Sequence, residues 1–265
     1  MSEANSLELE DLIQFATEVI QKTGQEALRF YGKREGGVRF DESLVTEAEL
    51  VLSEMFRSEL QRTFPQHQLF NNTLEDDSYT HEAKRYVWVY DTLDGIANFQ
   101  AGIPMWGVSL ALLENFWPIL GLFYMPATGD LFKAIAKEAA YRGENQIKVG
   151  DREEIDDQSI LLVFSRFHQQ FQSSFPGKLL NLGCTSVHIC YVASGLADAA
   201  VIANESFQDL AATRVIIEAA GGKIYRMDGS EFHLNEYLKG QKIQEPLLIS
   251  GPDGFGQVRG YLNSL

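Results

Sequence analysis

The apolar positions near the start of the chain follow a helical period. Across Leu7–Tyr31 they recur every three or four residues, which predicts an amphipathic helix that closes near Gly32. A second helix is predicted over Thr46–Thr63, where Pro65 stops it. Because each of these helices has one apolar face, each is expected to pack against another element.

Short apolar runs predict the strands of the first half. The longest, Trp106–Pro126, is interrupted by Glu114, Asn115 and Pro118. Two antiparallel strands that turn at Glu114-Asn115 therefore explain it better than a membrane helix does. The predicted strands of this half are Gln68–Phe70, Tyr86–Tyr90, Val108–Leu113, Ile119–Tyr124 and Asp130–Ala136.

Strands and helices alternate in the second half. The polar, charged segment 143–158 separates it from the first, so we expect two halves, 1–150 and 151–265, of a single compact α/β unit. In both halves, helices are expected to cover the faces of a sheet. The predicted strands are Ile160–Phe164, Lys178–Leu182, Ala199–Ile202 and Leu247–Ser250, and the predicted helices are His168–Phe175, Gly183–Ser194 and Asp209–Ala220.

Composition narrows the classes of function. The 265 residues carry a net charge of −15, which argues against nucleic acid or an anionic membrane as a partner. Cys184 and Cys190 are the only cysteines, and the roughly 9 Å that six helical residues span is too long for a disulfide, so we expect two reduced thiols. The start has no basic segment ahead of an apolar one, so we expect a cytoplasmic protein without a signal peptide.

The run Tyr86–Tyr90 leads into the segment Asp91-Thr-Leu-Asp94-Gly95. Two carboxylates three residues apart at a strand end suit a hard divalent cation such as Mg²⁺, and they are costly in a packed core. Gly95 is expected to begin a helix, whose free N–H groups can bind phosphate. Asp209 lies at another predicted helix start, where an N-cap is the commoner role for Asp. A cation site beside an anion-binding helix start suits the cleavage of phosphate esters.

Longer segments extend this pattern. Asp91-Thr-Leu-Asp-Gly-Ile-Ala-Asn-Phe99 is followed by Gly102-Ile-Pro-Met-Trp-Gly-Val-Ser-Leu110, and Gln208-Asp209-Leu-Ala-Ala is followed by Glu218-Ala-Ala-Gly-Gly222. These segments resemble the two signatures of the inositol monophosphatase family. Leu44-Val-Thr-Glu-Ala-Glu49 and Gly183–Gly195 match other stretches of that family, so the resemblance covers nearly the whole chain in the right order.

The resemblance implies a fold, an activity and a partner. The fold would be an αβαβα five-layered sandwich, commonly dimeric, so a homodimer is expected. The activity would be a magnesium-dependent phosphatase that hydrolyses a small sugar-like or inositol phosphate with a metal-activated water. Neither nucleic acid nor a membrane is an expected partner.

The resemblance also assigns residues. One Mg²⁺ would be held by Asp91, Asp94 and Asp209, and a second by Asp91 with the backbone carbonyl of Leu93. The N–H groups of Gly95 and Ile96 would bind the phosphate. The substrate side would include Gly183, Thr185 and Ile202.

Several of these positions depart from the family pattern. Asn72 stands where the family has a Glu that ligates metal and helps to activate water, and Ile96 stands where it has a Thr that orients the water. Glu49 replaces the Asp that often supports that Thr. Ile202 replaces the acid that contacts substrate hydroxyls. The acidic run Glu75–Asp77 is a possible substitute for the missing Glu, although a solvated turn is its commoner role.

The departures leave two hypotheses of different classes. The first is a magnesium-dependent phosphomonoesterase, because the carboxylates are present in order. The second is a homologue that binds a phosphorylated ligand or a protein partner without turnover. General-base assistance contributes about 10²–10⁴-fold to a rate. The replacement of the family's Glu by Asn72 and of its Thr by Ile96 therefore supports the second hypothesis.

Overall fold

The computed structural model describes residues 3–33, 46–70, 85–152 and 154–265. The predicted first helix ends earlier than expected, at Ala27, and Thr46 is the N-cap of the second. Within the described ranges, the α-helices are α1 (Glu3–Ala27), α2 (Glu47–Thr63), α3 (Ile96–Ala101), α4 (Thr185–Ala193), α5 (Phe207–Ala219) and α6 (Gly254–Arg259).

The first sheet has seven strands in chain order. The short β1 lies parallel to β2, and every later neighbouring pair is antiparallel. The strands are β1 (Gln68–Leu69), β2 (Tyr86–Asp94), β3 (Gly107–Glu114), β4 (Trp117–Met125), β5 (Asp130–Ile135), β6 (Ala140–Arg142) and β7 (Asn145–Ile147).

The second sheet is mixed and has five strands in the order β10-β8-β11-β13-β12. Its parallel members are β10, β8 and β11, and β13 lies antiparallel between β11 and β12. A separate pair joins β9 and β14. These strands are β8 (Ile160–Val163), β9 (Phe171–Ser173), β10 (Lys178–Leu180), β11 (Ala199–Ile202), β12 (Lys223–Arg226), β13 (Leu247–Ser250) and β14 (Leu262–Ser264).

Three apolar clusters arrange these elements as layers. The first buries α1 and α2 on one face of the first sheet, with Phe56 and Trp88 at its centre. The middle cluster places α4 and α5 between the two sheets. The third covers the outer face of the second sheet with short elements and α6. This αβαβα sandwich confirms the fold expected from the resemblance, with a fifth layer that is thinner than the others.

One predicted helix is wrong. His168–Phe175 forms a single 3-10 turn at Phe167–Gln169 and then the strand β9. Phe167, Phe171 and Phe175 are four residues apart, which imitates a helical period. All three are buried in the third cluster, and β9 takes its hydrogen bonds from β14, a partner that local spacing does not reveal.

The middle cluster draws side chains from both sides of residue 150, including Val89 from β2 and Ile249 from β13. The division into halves 1–150 and 151–265 stays a prediction.

Across the described ranges, every helix is too short or too polar to cross a lipid bilayer.

Candidate metal and phosphate site

The carboxylates of the first signature lie within a strand and not after it. β2 continues through Asp94, and its register with β3 shifts between Asp91, opposite Ser109, and Asp94, opposite Gly107. Three steps on β2 therefore match two on β3, which is a β-bulge. Bulges change the direction of side chains at strand ends, and this one lies between the two acids.

Gly95 makes the turn from this strand into α3. Its backbone is left-handed, with φ 84° and ψ 38°, and it is the N-cap residue of the helix. A Cβ here would lie 2.8 Å from the carbonyl oxygen of Met105 and 3.0 Å from the Cβ of Cys184. Glycine is therefore required twice, by the backbone angle and by the close approach of the loop before α4.

The start of α4 contacts the first signature directly. The backbone N–H of Ser186 donates to Oδ2 of Asp94 at 2.6 Å. The side-chain amide of Asn98, on α3, donates to the carbonyl oxygens of Met105 and Leu182, both at 2.7 Å. Gly183 follows with φ 72°, and a Cβ there would lie 2.8 Å from the Asn98 amide. The loop before α4 is thus fixed against α3.

His188 fixes the same loop from within α4. Its Nε2 accepts a hydrogen bond from the Leu182 N–H at 3.0 Å, so Nδ1 carries the proton in the neutral ring. Burial lowers the pKa of His188 to about 4. Nδ1 of His188 and Oγ of Ser186 are buried without a hydrogen-bond partner among the described residues.

The start of α5 brings Asp209 to the site. The N-cap of this helix is Ser206, which corrects the interpretation of Asp209 as the cap. Asp209 is the third helical residue, and its Oδ2 accepts from the Ser206 N–H at 2.7 Å in a capping box. Gln208 donates to the carbonyl oxygen of Tyr90 at 2.8 Å, which ties α5 to β2 one residue before Asp91.

The carboxylates repel one another. Burial raises the pKa of Asp91 well above its usual value, and the negative charges of Asp209 and Asp94 raise it further. Burial also raises the pKa of Asp209, against the hydrogen bonds from Ser206. Acids that resist ionisation in this way are costly to the fold alone, and a cation would relieve them.

The carboxylate oxygens of this site fit Mg²⁺ chemically, although they are not arranged as a complete metal site. Oxygen ligands with excess negative charge are what a hard divalent cation prefers. In the ranges that the structure covers, no three carboxylate, imidazole or thiol groups are gathered closely enough to hold a metal ion. Asp94 and Asp209 each accept a backbone N–H on Oδ2, which leaves Oδ1 of each carboxylate as a further acceptor.

Sequence reasoning missed one acid at this site. Glu205 is buried, with 8% of its surface exposed, and its Oε1 accepts from the Thr185 hydroxyl at 2.8 Å. Burial, and then the charges of Asp209 and Asp94, raise its pKa well above the usual value. The alignment with the family pointed to Ile202, which is fully buried in the middle cluster. The available signal was an acid among turn residues between a strand and a helix, four residues before Asp209.

Two positions that depart from the family pattern are occupied by side chains with structural contacts. The half-buried Ile96 packs against the first cluster. Glu49 forms a capping box with Thr46: its carboxylate accepts from the Thr46 N–H at 2.7 Å, and its own N–H donates to the Thr46 hydroxyl at 3.2 Å. The Glu49 side chain therefore caps α2. Asn72 and the acidic run Glu75–Asp77 lie outside the described residues.

Several known proteins resemble this chain in sequence or in fold. A histidinol-phosphatase of Chlorobaculum parvum is 29% identical over 228 residues, which are 83% of this chain and 87% of the relative. A Nus factor SuhB of Xylella fastidiosa is 28% identical over 183 residues, 65% of each protein. The structure of the Thermotoga maritima IMPase has the same fold, with a TM-score of 0.76 and 20% identity over 95% of this chain and 96% of that one.

The match to a whole family covers more of the chain than the match to either of the two sequence relatives. Its sequence pattern covers residues 8–245, which include both signatures, the start of α4 and Glu205. Members of the family are generally metal-dependent, and they act on small phosphorylated substrates. With this match over most of its length, the chain belongs to the inositol monophosphatase family.

Proposed function

We propose that this chain is a magnesium-dependent phosphomonoesterase that hydrolyses a small phosphate ester, of the sugar-like or inositol type or of the kind named by its histidinol-phosphatase relative. The observation that supports the proposal is the electrostatic coupling of Asp91, Asp94 and Asp209, in which the charge of Asp94 adds to burial in raising the pKa values of the other two. They come from both signatures, and the starts of α3, α4 and α5 surround them. Cytoplasmic location and a homodimer remain expectations from the family.

Each residue has a defined part in this proposal. Asp91, Asp94 and Asp209 would hold one Mg²⁺, and Asp91 with the backbone carbonyl of Leu93 would help to hold a second. The N–H groups of Gly95 and Ile96 would orient the phosphate. When bound, Mg²⁺ neutralises the phosphoryl oxygens and makes nearby water more acidic. On the substrate side lie Gly183 and Thr185.

The reaction is an in-line displacement at phosphorus. A water oxygen attacks opposite the ester oxygen, the P–O ester bond breaks, and the alkoxide takes up a proton to leave as an alcohol, with inorganic phosphate as the other product. The side chain of Asn72 cannot accept the proton of the water, and Ile96 has no hydroxyl to orient it. The chain therefore binds and orients its substrate with more complete machinery than it has for activating water.

The test is a phosphate-release assay over inositol phosphates, fructose bisphosphate, adenosine bisphosphate and histidinol phosphate. The matched control is the triple variant Asp91→Asn, Asp94→Asn, Asp209→Asn, which keeps side-chain size and removes the charges. The proposal expects magnesium-dependent release by the natural chain alone. Release no greater than that of the triple variant on every substrate would refute it.

A second function is favoured by Ile96 and by the use of Glu49 as a helix cap. In that case the chain binds a phosphorylated ligand or a protein without turnover, and its similarity to a protein named as a Nus factor supports a protein partner. Turnover of any phosphate ester near about one per second, a rate typical of working enzymes, would refute this alternative.

A further inference from the structure

A cavity of about 320 Å³ opens on the face of the first sheet that carries α1. Its floor is formed by β4, β5 and β6, and Ile13 of α1 forms one wall. The volume lies within the range of small-molecule pockets. Asp91 and Asp94 lie on β2 and do not line the cavity, so it is separate from the carboxylate site.

The register of the strands sets which side chains face this cavity. Leu122 lies opposite Lys133, and Lys133 lies opposite Tyr141, so these three form a row across the sheet. Leu120 and Ile135 form the next row on the same face. Both leucines are buried in the first cluster, whereas Ile135 and Tyr141 are half-buried. The floor therefore offers apolar surface to a ligand.

Three charged side chains line the same cavity without neutralising one another. Lys133 is half-buried within β5, and it lies opposite Tyr141 at the middle of the short β6. Glu138 precedes β6 and Glu144 follows it, so the carboxylates flank its two ends. Among the described residues, none of the three charges is in an ion pair, and the Tyr141 hydroxyl makes no hydrogen bond.

A second cavity, of about 370 Å³, is lined by charges that are paired. It lies between segment 148–152, the end of α5 and α6. Lys148 pairs with Asp151 at 3.1 Å, and Arg152 pairs with Asp198 at 2.9 Å. The first cavity also has charges of both signs, but they are held apart. A ligand that carries both an anion and a cation can pair with them at the same time.

We infer that the cavity beside α1 binds an apolar α-amino acid. Its carboxylate pairs with Lys133 and accepts from the Tyr141 hydroxyl, its ammonium group pairs with Glu138 or Glu144, and its side chain packs on the apolar floor. Hydrogen bonds between ionised groups are roughly twice as strong as neutral ones, so both ends of the ligand contribute. None of these groups belongs to the carboxylate site, so the binding is independent of the proposed phosphatase reaction.

Three compounds with the same apolar body test this inference: leucine, 3-methylbutylamine, which lacks the carboxylate, and 4-methylpentanoate, which lacks the ammonium group. Their binding to the full chain is measured by calorimetry. The amine should bind at least about 10-fold more weakly than leucine, because it cannot pair with the half-buried Lys133. The carboxylate should bind about 5-fold more weakly, because the glutamates are exposed and their pairing is screened by solvent.

Variants assign each end of the ligand. Lys133→Met has a similar side-chain length without the charge, and it should weaken leucine binding at least about 10-fold. Glu138→Gln with Glu144→Gln should weaken leucine binding about 5-fold and leave that of 4-methylpentanoate unchanged. The matched control is Lys137→Met, which removes an exposed lysine that does not line the cavity and should change neither affinity.

Every other outcome overturns the inference. These are no binding of leucine at about 10 mM, where even a weak ligand would be detected, equal binding of leucine and either analogue, and equal weakening by Lys137→Met. If Lys133→Met fails to fold, the double glutamine variant decides, since both glutamates are exposed, and unchanged leucine binding in it overturns the inference. If the natural chain releases no phosphate but binds leucine as described, the proposed function fails and the amino-acid site stands.

Discussion

The two sides of the site differ in whether their side chains are satisfied without a ligand. On one side, Asp91, Asp209 and Glu205 are carboxylates whose pKa values burial and mutual repulsion raise, so they favour the uptake of cations. On the other side, Ile96 packs into an apolar cluster and Glu49 caps its own helix. The first side is held in a costly state, and the second is satisfied without a ligand.

This difference separates two tasks that are combined in a phosphatase. Binding a metal ion needs negatively charged side chains, and binding a phosphate needs the free N–H groups at the start of a helix. The carboxylate side supplies both. Activating a water molecule needs a base that accepts its proton and a hydroxyl that orients it. The side of the site that carries Ile96 supplies neither. A fold selected only for stability would not retain unpaired buried acids, because apolar replacements are often more stable. A bound cation would relieve this cost, which is the reason for proposing a ligand on the carboxylate side.

The largest expected effect comes from restoring the second side. Asn72→Glu together with Ile96→Thr should raise the rate of phosphate release by about 10²–10⁴-fold, because a base and an orienting hydroxyl return. The matched control is Asn72→Gln with Ile96→Val, which has nearly the same shape without the charge or the hydroxyl. If both pairs change the rate equally, the two sides do not differ as described.

A smaller effect tests how tightly the carboxylate side is built. Gly95→Ala should lower the free energy of unfolding by about 3 kcal/mol, from left-handed strain plus the clash with Met105 and Cys184. Gly129→Ala has similar strain, with φ 79°, but open space around the new Cβ, and should cost about 1 kcal/mol. Denaturant melts measure both, and equal costs would show that the approach of α4 to Gly95 is not tight.

The smallest effect concerns pH. The raised pKa values of Asp91 and Glu205 mean that the folded chain binds more protons than the unfolded chain above about pH 4, so this part of the stability is lost as pH rises. Mg²⁺ replaces those protons, so the rise in melting temperature that it causes should be larger at pH 8 than at pH 5. His188 acts with the opposite sign, because its lowered pKa means that its part of the stability is lost as pH falls below about 6.5.

The control for this comparison is the double variant Asp91→Asn, Asp209→Asn, in which the Mg²⁺-induced shift should be small at both pH values. An equal shift at pH 5 and pH 8 in the natural chain would show that the metal does not compete with protons at these acids.

Local patterns were sufficient to predict most of the fold. Strand β13 and the capping of α2 follow from apolar runs and from a Thr with a Glu three residues on. The helix predicted at His168–Phe175 failed because the partner of β9 lies at the other end of the sequence. Sequence spacing carries no information about such a distant pairing.

The sequence indicated candidate residues of the site, but it did not indicate Glu205 or the long-range hydrogen bonds that hold the site together. Asp91, Asp94 and Asp209 could be proposed from the sequence because their types and positions repeat a family pattern, and their role stays a prediction. Glu205 was missed because the pattern places its acid three residues earlier, at Ile202, whereas Glu205 follows the left-handed residue Asn204 after β11. The tie from Gln208 to Tyr90 joins residues 118 positions apart, which no local rule predicts.

One calorimetric titration tests the central claim most directly, that the carboxylate side still holds metal and phosphate. Inorganic phosphate is titrated into the natural chain and into Asp91→Asn, Asp94→Asn, Asp209→Asn, each with and without Mg²⁺. We predict binding by the natural chain that requires Mg²⁺ and is absent from the triple variant. Binding that is independent of Mg²⁺, or equal in the two proteins, would contradict the account.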